Sequence, residues 1–193
     1  SATEMGQNSG GDITATAKTG YKFTNWTIQS GSGSFTNANA ASTTFKPTAA
    51  SSIQANFEAN TYTITWDVND GSGKTTTSTY TYNGETVNLP ENPTRTGYTF
   101  NGWFTEQSGG TQITEIGTTN KPTSNVTYYA QWSEITYTVN ISTDGNGTVS
   151  PSGKQQIGVV GLEVTATPKD PSKFRFAKWE VSGGAQVADN YSA

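Results

Sequence analysis

The acidic and amide side chains of one short loop are the strongest candidates for chemistry in this sequence. Asp67, Asn69 and Asp70 lie within DVNDGSGK, and carboxylate and amide oxygens in such a loop can bind Ca²⁺. The glycine falls one position early for a twelve-residue calcium loop, however, and no glutamate closes that loop. Asp-Gly pairs also supply the positive φ that tight hairpin turns need. The sequence therefore favours a hairpin turn here, with calcium binding as the less favoured alternative.

Other catalytic chemistry has few residues to draw on. The chain of 193 residues contains no cysteine and no histidine, which excludes a thiolate zinc site, a cysteine nucleophile and a Ser-His-Asp triad. A glycosidase needs two carboxylates that converge in a cleft. Glu85, Glu91, Glu106 and Glu115 are instead scattered through turns and connections. We therefore predict a chain that is not an enzyme and that binds no cofactor.

Charge and hydropathy limit the partners of the chain. Eleven Lys and Arg residues stand against 15 Asp and Glu, and this net charge of −4 does not attract nucleic acid or anionic lipid. No apolar run approaches the roughly 20 residues that span a bilayer. Residues 1–20 also lack the apolar centre of a signal peptide. We expect no nucleic-acid partner and no membrane insertion within this segment, and we expect any targeting or anchoring segment to lie outside it.

The composition favours strands over helices. Threonine accounts for 35 of the 193 residues, whereas leucine occurs only twice. Thr, Tyr, Trp and Val fit a pleated sheet, and a chain nearly without Leu lacks one of the best helix formers. The predicted fold class is mostly β.

A phrase of the form aromatic-x-Phe-x-x-Trp occurs three times, as YKFTNWT, YTFNGWF and FRFAKWE, with its tryptophans 77 and 76 residues apart. An opening phrase (TYT) and a closing phrase (Ala-x-aromatic) each recur at a spacing of 75. Three markers with one period indicate a tandem repeat. We predict a first module at 1–59 that lacks its opening strand, a complete module at 60–134, and a third at 135–193 that lacks its closing strand.

The middle module allows a coarse strand assignment. In TYTITWDV, the residues Tyr62, Ile64, Trp66 and Val68 alternate with polar ones, which predicts a half-buried strand. TTTSTYTY, TVNL, YTFNGWF and NVTYYAQW are the further predicted strands. Trp103 has the opposite parity to the two aromatics before it in its strand, which predicts a bulge or strand end at Asn101-Gly102.

The aromatic side chains have two possible roles, a hydrophobic core or a platform on which sugars stack. A module of about 75 residues with few aliphatic side chains has little core volume, so its largest side chains must fill it. The same positions also recur in modules whose polar surroundings differ, which favours the core. The predicted core residues are Tyr21, Phe23, Trp26, Phe57, Trp66, Tyr98, Phe100, Trp103, Trp132, Phe174, Phe176 and Trp179.

NLPENPTRTGYTFNGWFTEQSGG followed by NVTYYAQW resembles the internalin-type B repeat, also called the Listeria–Bacteroides repeat. The flanking modules resemble the divergent version of this repeat, although the third inserts two residues before its aromatic phrase. The resemblance implies small β-grasp-like modules in an elongated array on bacterial secreted and cell-surface proteins. It implies no shared catalytic residues. Arg95 lies inside the family string, where we expect a hydrogen bond or a stacking contact that fixes the proline-rich connection.

Two classes of function follow, with an extracellular location in both. The chain is either a stalk, spacer or adhesion segment, or a module that binds a glycan or a host protein through its loops. Exposed aromatic rings distinguish them, because three or more rings in one patch would favour binding. Tyr80, Tyr82, Tyr128 and Tyr129 are the residues whose alternation is expected to leave some ring exposed.

The incomplete outer modules have two interpretations, and both make neighbouring repeats the expected partners. Either the chain is a slice of a longer array, or the third module of one chain completes the first module of an adjacent chain by strand donation. In the second case residues 136–149 would pair with the open edge of the first module and build a filament. The slice is the favoured interpretation, because nothing else in the sequence demands polymerisation.

Overall fold

The computed structural model describes residues 10–183, and every regular element in that range is a β-strand. The prediction of a mostly β fold is therefore confirmed. Within the described range there is no helix that is long and apolar enough to cross a bilayer.

The first repeat forms two small antiparallel sheets. Its strands are β1 (Gly11–Thr14), β2 (Tyr21–Ser30), β3 (Gly33–Phe35), β4 (Ser42–Pro47) and β5 (Ser52–Ala59). One sheet has the order β1-β4-β3, and the other pairs β2 with β5. The β2–β5 register places Phe23 opposite Phe57 and Trp26 opposite Ala55. The aromatic phrase and the closing phrase of this repeat are thus neighbouring strands.

The middle repeat forms one sheet of five strands. These are β6 (Thr61–Asp67), β7 (Thr75–Thr81), β8 (Tyr98–Phe104), β9 (Gln112–Ile113) and β10 (Val126–Glu134), in the order β7-β6-β10-β8-β9. The opening strand β6 and the closing strand β10 run parallel, with Trp66 opposite Tyr128. This pairing brings the two ends of the repeat together at the centre of its sheet.

The described part of the third repeat contains two antiparallel pairs. Its strands are β11 (Tyr137–Ile141), β12 (Gly147–Ser150), β13 (Gly153–Ile157) and β14 (Thr165–Pro168). β11 pairs with β13, and β12 pairs with β14. The segment that strand donation would pair with another chain is therefore paired within its own chain.

Packing divides the described residues into two compact units. One unit comprises the chain up to Pro93 together with Asn101–Gln131. The other comprises Thr94–Phe100 together with the chain from Trp132 onward. Both divisions fall inside the middle repeat, so the module boundaries at 59/60 and 134/135 stay predictions.

The centre of the first unit is a cluster of rings around Trp66. The ring of Trp66 lies 5.2 Å from that of Trp103 and 5.4 Å from that of Tyr128, measured between centroids. Ile64, Trp66 and Val68 are all buried, as their alternation in β6 predicts. Together with Tyr80, these rings are the largest side chains that the sheet buries.

One detail of the strand assignment differs from the prediction, and another agrees with it. TVNL does not form a strand; Val87 makes only an isolated bridge to Ile116, to whose oxygen its amide donates at 3.0 Å. The ladder cannot continue because Pro90 and Pro93 have no amide hydrogen. The irregularity expected at Asn101-Gly102 coincides with a φ of +126° at Gly102, which side-chain-bearing residues rarely adopt.

Replacing Trp103 by alanine tests the core. Trp103 is only 3% exposed and packs on Trp66, so we expect the substitution to lower the free energy of unfolding by about 3–5 kcal/mol. Urea unfolding followed by circular dichroism measures this loss. Tyr137→Ala is the matched control, because Tyr137 is 68% exposed and its truncation should change stability by no more than about 0.5 kcal/mol. Equal effects of the two substitutions would contradict the core assignment.

Candidate functional site

The three calcium candidates serve as turn residues in the structure. A carboxylate oxygen of Asp67 accepts a hydrogen bond from the amide of Asn69 at 2.8 Å. A carboxylate oxygen of Asp70 accepts one from the amide of Ser72 at 2.9 Å. Such contacts between a side chain and the backbone two residues later define Asx turns. The carboxylates therefore fix the path of the loop.

Asn69 ties this loop to distant backbone. Its side-chain nitrogen donates to the carbonyl oxygens of Gln107 and Ala130, both at 2.9 Å. Its φ of +52° is a conformation that asparagine tolerates better than most residues. In the described part of the chain, no three His, Cys, Asp or Glu residues are close enough together to hold a metal ion. The contacts assign Asn69 a structural role.

Glu115 organises the loop that follows β9. Its carboxylate accepts hydrogen bonds from the amides of Thr118, Thr119 and Asn120 at 2.8–2.9 Å, and a fourth from the Thr119 hydroxyl. These bonds, with the Thr119 hydroxyl contributing most, lower the pKa of Glu115 from 4.5 to about 2. The Asn120 side chain then donates to the Tyr128 hydroxyl at 2.9 Å and so connects the loop to the core.

A cavity of about 400 Å³ adjoins this loop. The lining includes Thr105, Gln112, Glu115 and Asn120. A general acid or base needs an oxygen that can exchange a proton with a substrate. Both oxygens of Glu115 already accept backbone hydrogen bonds, which hold the carboxylate in its ionised form. The arrangement suits a folded loop better than acid–base chemistry.

The predicted core residues differ in how deeply they are buried. Trp66 and Trp103 are buried, whereas Phe57 and Phe174 lie at the surface with 39% and 41% of their area exposed. The remaining eight are half-buried: Tyr21, Phe23, Trp26, Tyr98, Phe100, Trp132, Phe176 and Trp179.

Phe57 is exposed because it belongs to a sheet of only two strands. It contacts Phe23 edge-on at a centroid distance of 5.8 Å. The best-buried ring of the first repeat is instead Phe45, which packs on Phe35 at 4.8 Å. Neither Phe45 nor Phe35 belongs to the aromatic phrase, so the search for recurring phrases missed them. Their positions within the short threonine- and serine-rich strands β3 and β4 were the available signal.

The four tyrosines that were expected to indicate a binding surface do not form a cluster of exposed rings. Tyr80 and Tyr128 are buried, so these four tyrosines cannot supply the three exposed rings that would favour binding. Tyr82 and Tyr129 are half-buried. The Tyr80 hydroxyl accepts a hydrogen bond from the amide of Asn83 at 3.2 Å, so its polar end is satisfied inside the fold.

Consecutive repeats are joined by a single residue in the first unit. Asn60 is the only residue between β5 and β6. Its amide donates to the Gly20 oxygen at 2.8 Å, and its oxygen accepts from the Tyr82 amide at 2.9 Å. The Tyr21 and Tyr82 rings meet edge to face at 5.8 Å beside it. The junction is thus held by both backbone and side chains.

Asn83 adds a second layer of contacts to this junction. Its side-chain nitrogen donates to the Tyr21 hydroxyl at 3.2 Å, and its side-chain oxygen accepts from the Lys121 ammonium at 3.0 Å.

In the second unit, the stacking contact expected of Arg95 is present, with its guanidinium carbon 3.8 Å from the centroid of the Tyr98 ring.

Two families of repeat account for nearly the whole chain. The Divergent InlB B-repeat domain matches residues 1–61 and 137–193, and the Listeria-Bacteroides repeat domain matches residues 62–131. The chain belongs to the InlB B-repeat family. Internalin H of Listeria monocytogenes is 35% identical over 140 residues, and a protein described as a Gly-rich membrane protein in Evansella cellulosilytica is 36% identical over 142.

These alignments cover most of this chain but a small part of its relatives. They span 72% and 69% of the chain, but only 24% and 16% of the two proteins. The B repeats described above thus form a repeat segment like those of internalin-like bacterial surface proteins, and the matches indicate no enzymatic family.

Calcium should not affect the stability of these B repeats. Because Asp67 and Asn69 already bond to backbone groups, we expect the same melting temperature in excess Ca²⁺ and in excess chelator. Differential scanning calorimetry of the whole chain makes the comparison. A melting temperature that the chelator lowers by several degrees, and that no longer responds to chelator in Asp67→Asn, would establish a cation site instead.

Acid should loosen the loop that Glu115 organises. A carboxyl group whose pKa falls from 4.5 in the unfolded chain to about 2 in the folded chain stabilises the fold above pH 4.5. That contribution declines as the pH falls from 4.5 towards 2. Glu115→Gln should therefore be less stable than the wild type at pH 7, with a difference that shrinks on acidification. Urea midpoints at several pH values measure it, and Glu91→Gln controls for the change in net charge.

Proposed function

We propose that this chain is a non-catalytic spacer of a bacterial cell-surface or secreted protein, working outside the cell. Its task is to hold a functional domain of the parent protein at a distance from the envelope. The observation that carries the proposal is the junction at Asn60, where one residue joins two repeats and three of its polar groups are hydrogen-bonded.

A junction of this kind suits a spacer because it leaves little freedom between neighbouring repeats. Flexible linkers are several residues long and rich in Gly and Ser. Here the Asn60 side chain also donates to the Tyr62 hydroxyl at 3.2 Å, and Tyr21 and Tyr82 pack beside it. Bending at Asn60 would break these bonds and expose both rings to water. Each repeat should therefore hold the next repeat of the array in a fixed position.

The distribution of aromatic side chains also supports a spacer. A platform for sugars needs exposed rings. The core of the first unit instead buries four of them: Trp66, Tyr80, Trp103 and Tyr128. No aromatic ring lines the cavity beside Glu115. Neither feature favours a glycan site in this unit.

A second candidate function is binding of a host protein through the third repeat. Exposed apolar side chains of the described residues are concentrated there: Ile135, Tyr137, Val159, Val160, Leu162, Phe174 and Val181. Exposed apolar side chains that form a patch of several hundred Å² commonly mark an interaction surface. An adhesion role would use this repeat, while the first two repeats would remain a spacer. Strand donation is a less favoured form of the same idea, because β11 and β12 already have partners in their own chain.

A display experiment tests the spacer proposal. An epitope fused ahead of the chain and anchored to a bacterial surface should be less accessible to antibody when residues 60–134 are deleted. Replacing those residues by an unrelated rigid β-module of similar length should restore accessibility, since a spacer needs length and not identity. Flow cytometry measures antibody binding.

The same cells test the binding alternative. Tyr137→Ser combined with Phe174→Ser removes two exposed rings of the third repeat and should leave epitope accessibility unchanged. If adhesion to host cells is present and is lost only in this double variant, the third repeat is a binding module.

The spacer proposal has its own contradicting outcome. It is wrong if the unrelated rigid β-module fails to restore antibody access to the epitope.

A further inference from the structure

The glycine that precedes the aromatic phrase adopts the same conformation in the first two repeats. Gly20 and Gly97 each lie between a threonine and a tyrosine, with φ of +82° and +76°. The tyrosine amides close the same tight turn, from Tyr21 to the oxygen of Lys18 at 3.0 Å and from Tyr98 to that of Arg95 at 3.1 Å. A left-handed residue in such a turn favours glycine.

The carbonyl oxygen of each glycine accepts a hydrogen bond from the first residue after the closing strand. The donors are the amides of Asn60 for Gly20 and of Ile135 for Gly97, at 2.8 Å in both cases. Asn60 and Ile135 are 75 residues apart, the period of the repeat. The two junctions therefore share one backbone contact.

The α-carbon of each glycine also faces a side chain of the following repeat. A methyl group added to Gly20 would overlap the ring of Tyr82, and one added to Gly97 would lie 2.5 Å from a methyl group of Val159. Tyr82 and Val159 each lie 62 residues after the glycine that they face. Tyr82 directly follows β7 and Val159 lies two residues after β13, and each of these strands pairs with the first strand of its repeat. The close approach is thus repeated although the side chain differs.

We propose that this glycine is the docking position for the next repeat in the array. Its missing side chain makes room for an apolar or aromatic residue at the position of Tyr82 and Val159, and its carbonyl oxygen fixes the first residue of that repeat. The partner is another B repeat carrying a side chain of this kind. The inference goes beyond the spacer proposal, since it holds whatever the array displays.

The third repeat lacks this docking position. Lys173 occupies the place of Gly20 and Gly97, directly before the first aromatic residue of the phrase. Its amide donates to the Asp170 oxygen at 2.9 Å, and its ammonium lies 3.3 Å from the Asp170 carboxylate. Among the described residues, only Asn69 and Asn83 combine a side chain with positive φ, so Lys173 does not reproduce the glycine turn. A repeat placed after this one would have to join it in another way.

The simpler explanation is that Gly20 is needed only for its turn, and the chain provides a matched control. Gly71 has a similar φ of +87° but no atom within 4 Å of the place where a methyl group would be added. Gly71→Ala therefore reports the cost of the backbone conformation alone, whereas Gly20→Ala adds the collision with Tyr82. Repeating Gly20→Ala in a Tyr82→Ala background then separates this collision from the turn.

Hydrogen exchange of the Asn60 amide in the full chain measures docking directly. We expect Gly20→Ala to accelerate this exchange at least about tenfold more than Gly71→Ala does. Tyr82→Ala should also accelerate it, while the amides of the β6–β7 ladder keep their protection. Because Tyr82→Ala leaves Gly20 intact, it tests docking even if Gly20→Ala fails to fold.

A double-mutant cycle decides between docking and the turn alone. Once Tyr82 is alanine, adding Gly20→Ala should accelerate exchange no more than Gly71→Ala does, because the collision is gone. Gly97→Ala with Val159→Ala should behave in the same way at the Ile135 amide. Equal effects of Gly20→Ala and Gly71→Ala, or strict additivity in both cycles, would overturn the proposal. The display experiment measures epitope accessibility and not amide exchange. The spacer proposal and the docking proposal can therefore fail independently.

Discussion

The burial of Trp66 is the interaction on which the middle repeat depends. Its ring contacts Trp103 and Tyr128, and its indole nitrogen donates to the Ser78 hydroxyl at 3.0 Å. These contacts join β6 to β7, β8 and β10, so a single side chain connects four of the five strands. Buried isoleucines such as Ile64, Ile113 and Ile116 pack in the same core. Aromatic contacts therefore connect the strands, and aliphatic side chains fill the core beside them.

Local sequence patterns predicted the structural features that depend on residues close together in the chain. Alternation in β6 identified Ile64, Trp66 and Val68, and the period of 75 identified the repeats. Alternation could not tell that Tyr80 and Tyr128 are the covered rings, because the strands that cover them come from elsewhere in the chain. Phe45 was missed for the same reason, since its burial depends on Phe35 in a neighbouring strand.

The candidate site was predictable in its chemistry but not in its contacts. The acidic loop was identified as a turn from its Asp-Gly pair, and two Asx turns are present. The bonds from Asn69 to Gln107 and Ala130 could not be foreseen, because they span 38 and 61 residues. The sequence placed Glu115 only among four scattered glutamates, since its role depends on a loop folding back on its own carboxylate. Long-range polar contacts of this kind produce no repeating pattern in the sequence.

The parallel pairing of β6 with β10 has a mechanical consequence. The chain enters the middle repeat at the start of β6 and leaves at the end of β10, and Ile64–Asp67 lie beside Val126–Tyr129. Tension along the array pulls these two strands past each other in opposite directions. All the hydrogen bonds between them then bear load together, whereas a hairpin pulled at its open end breaks them one at a time. The paired strands β6 and β10 therefore resist force applied along their length.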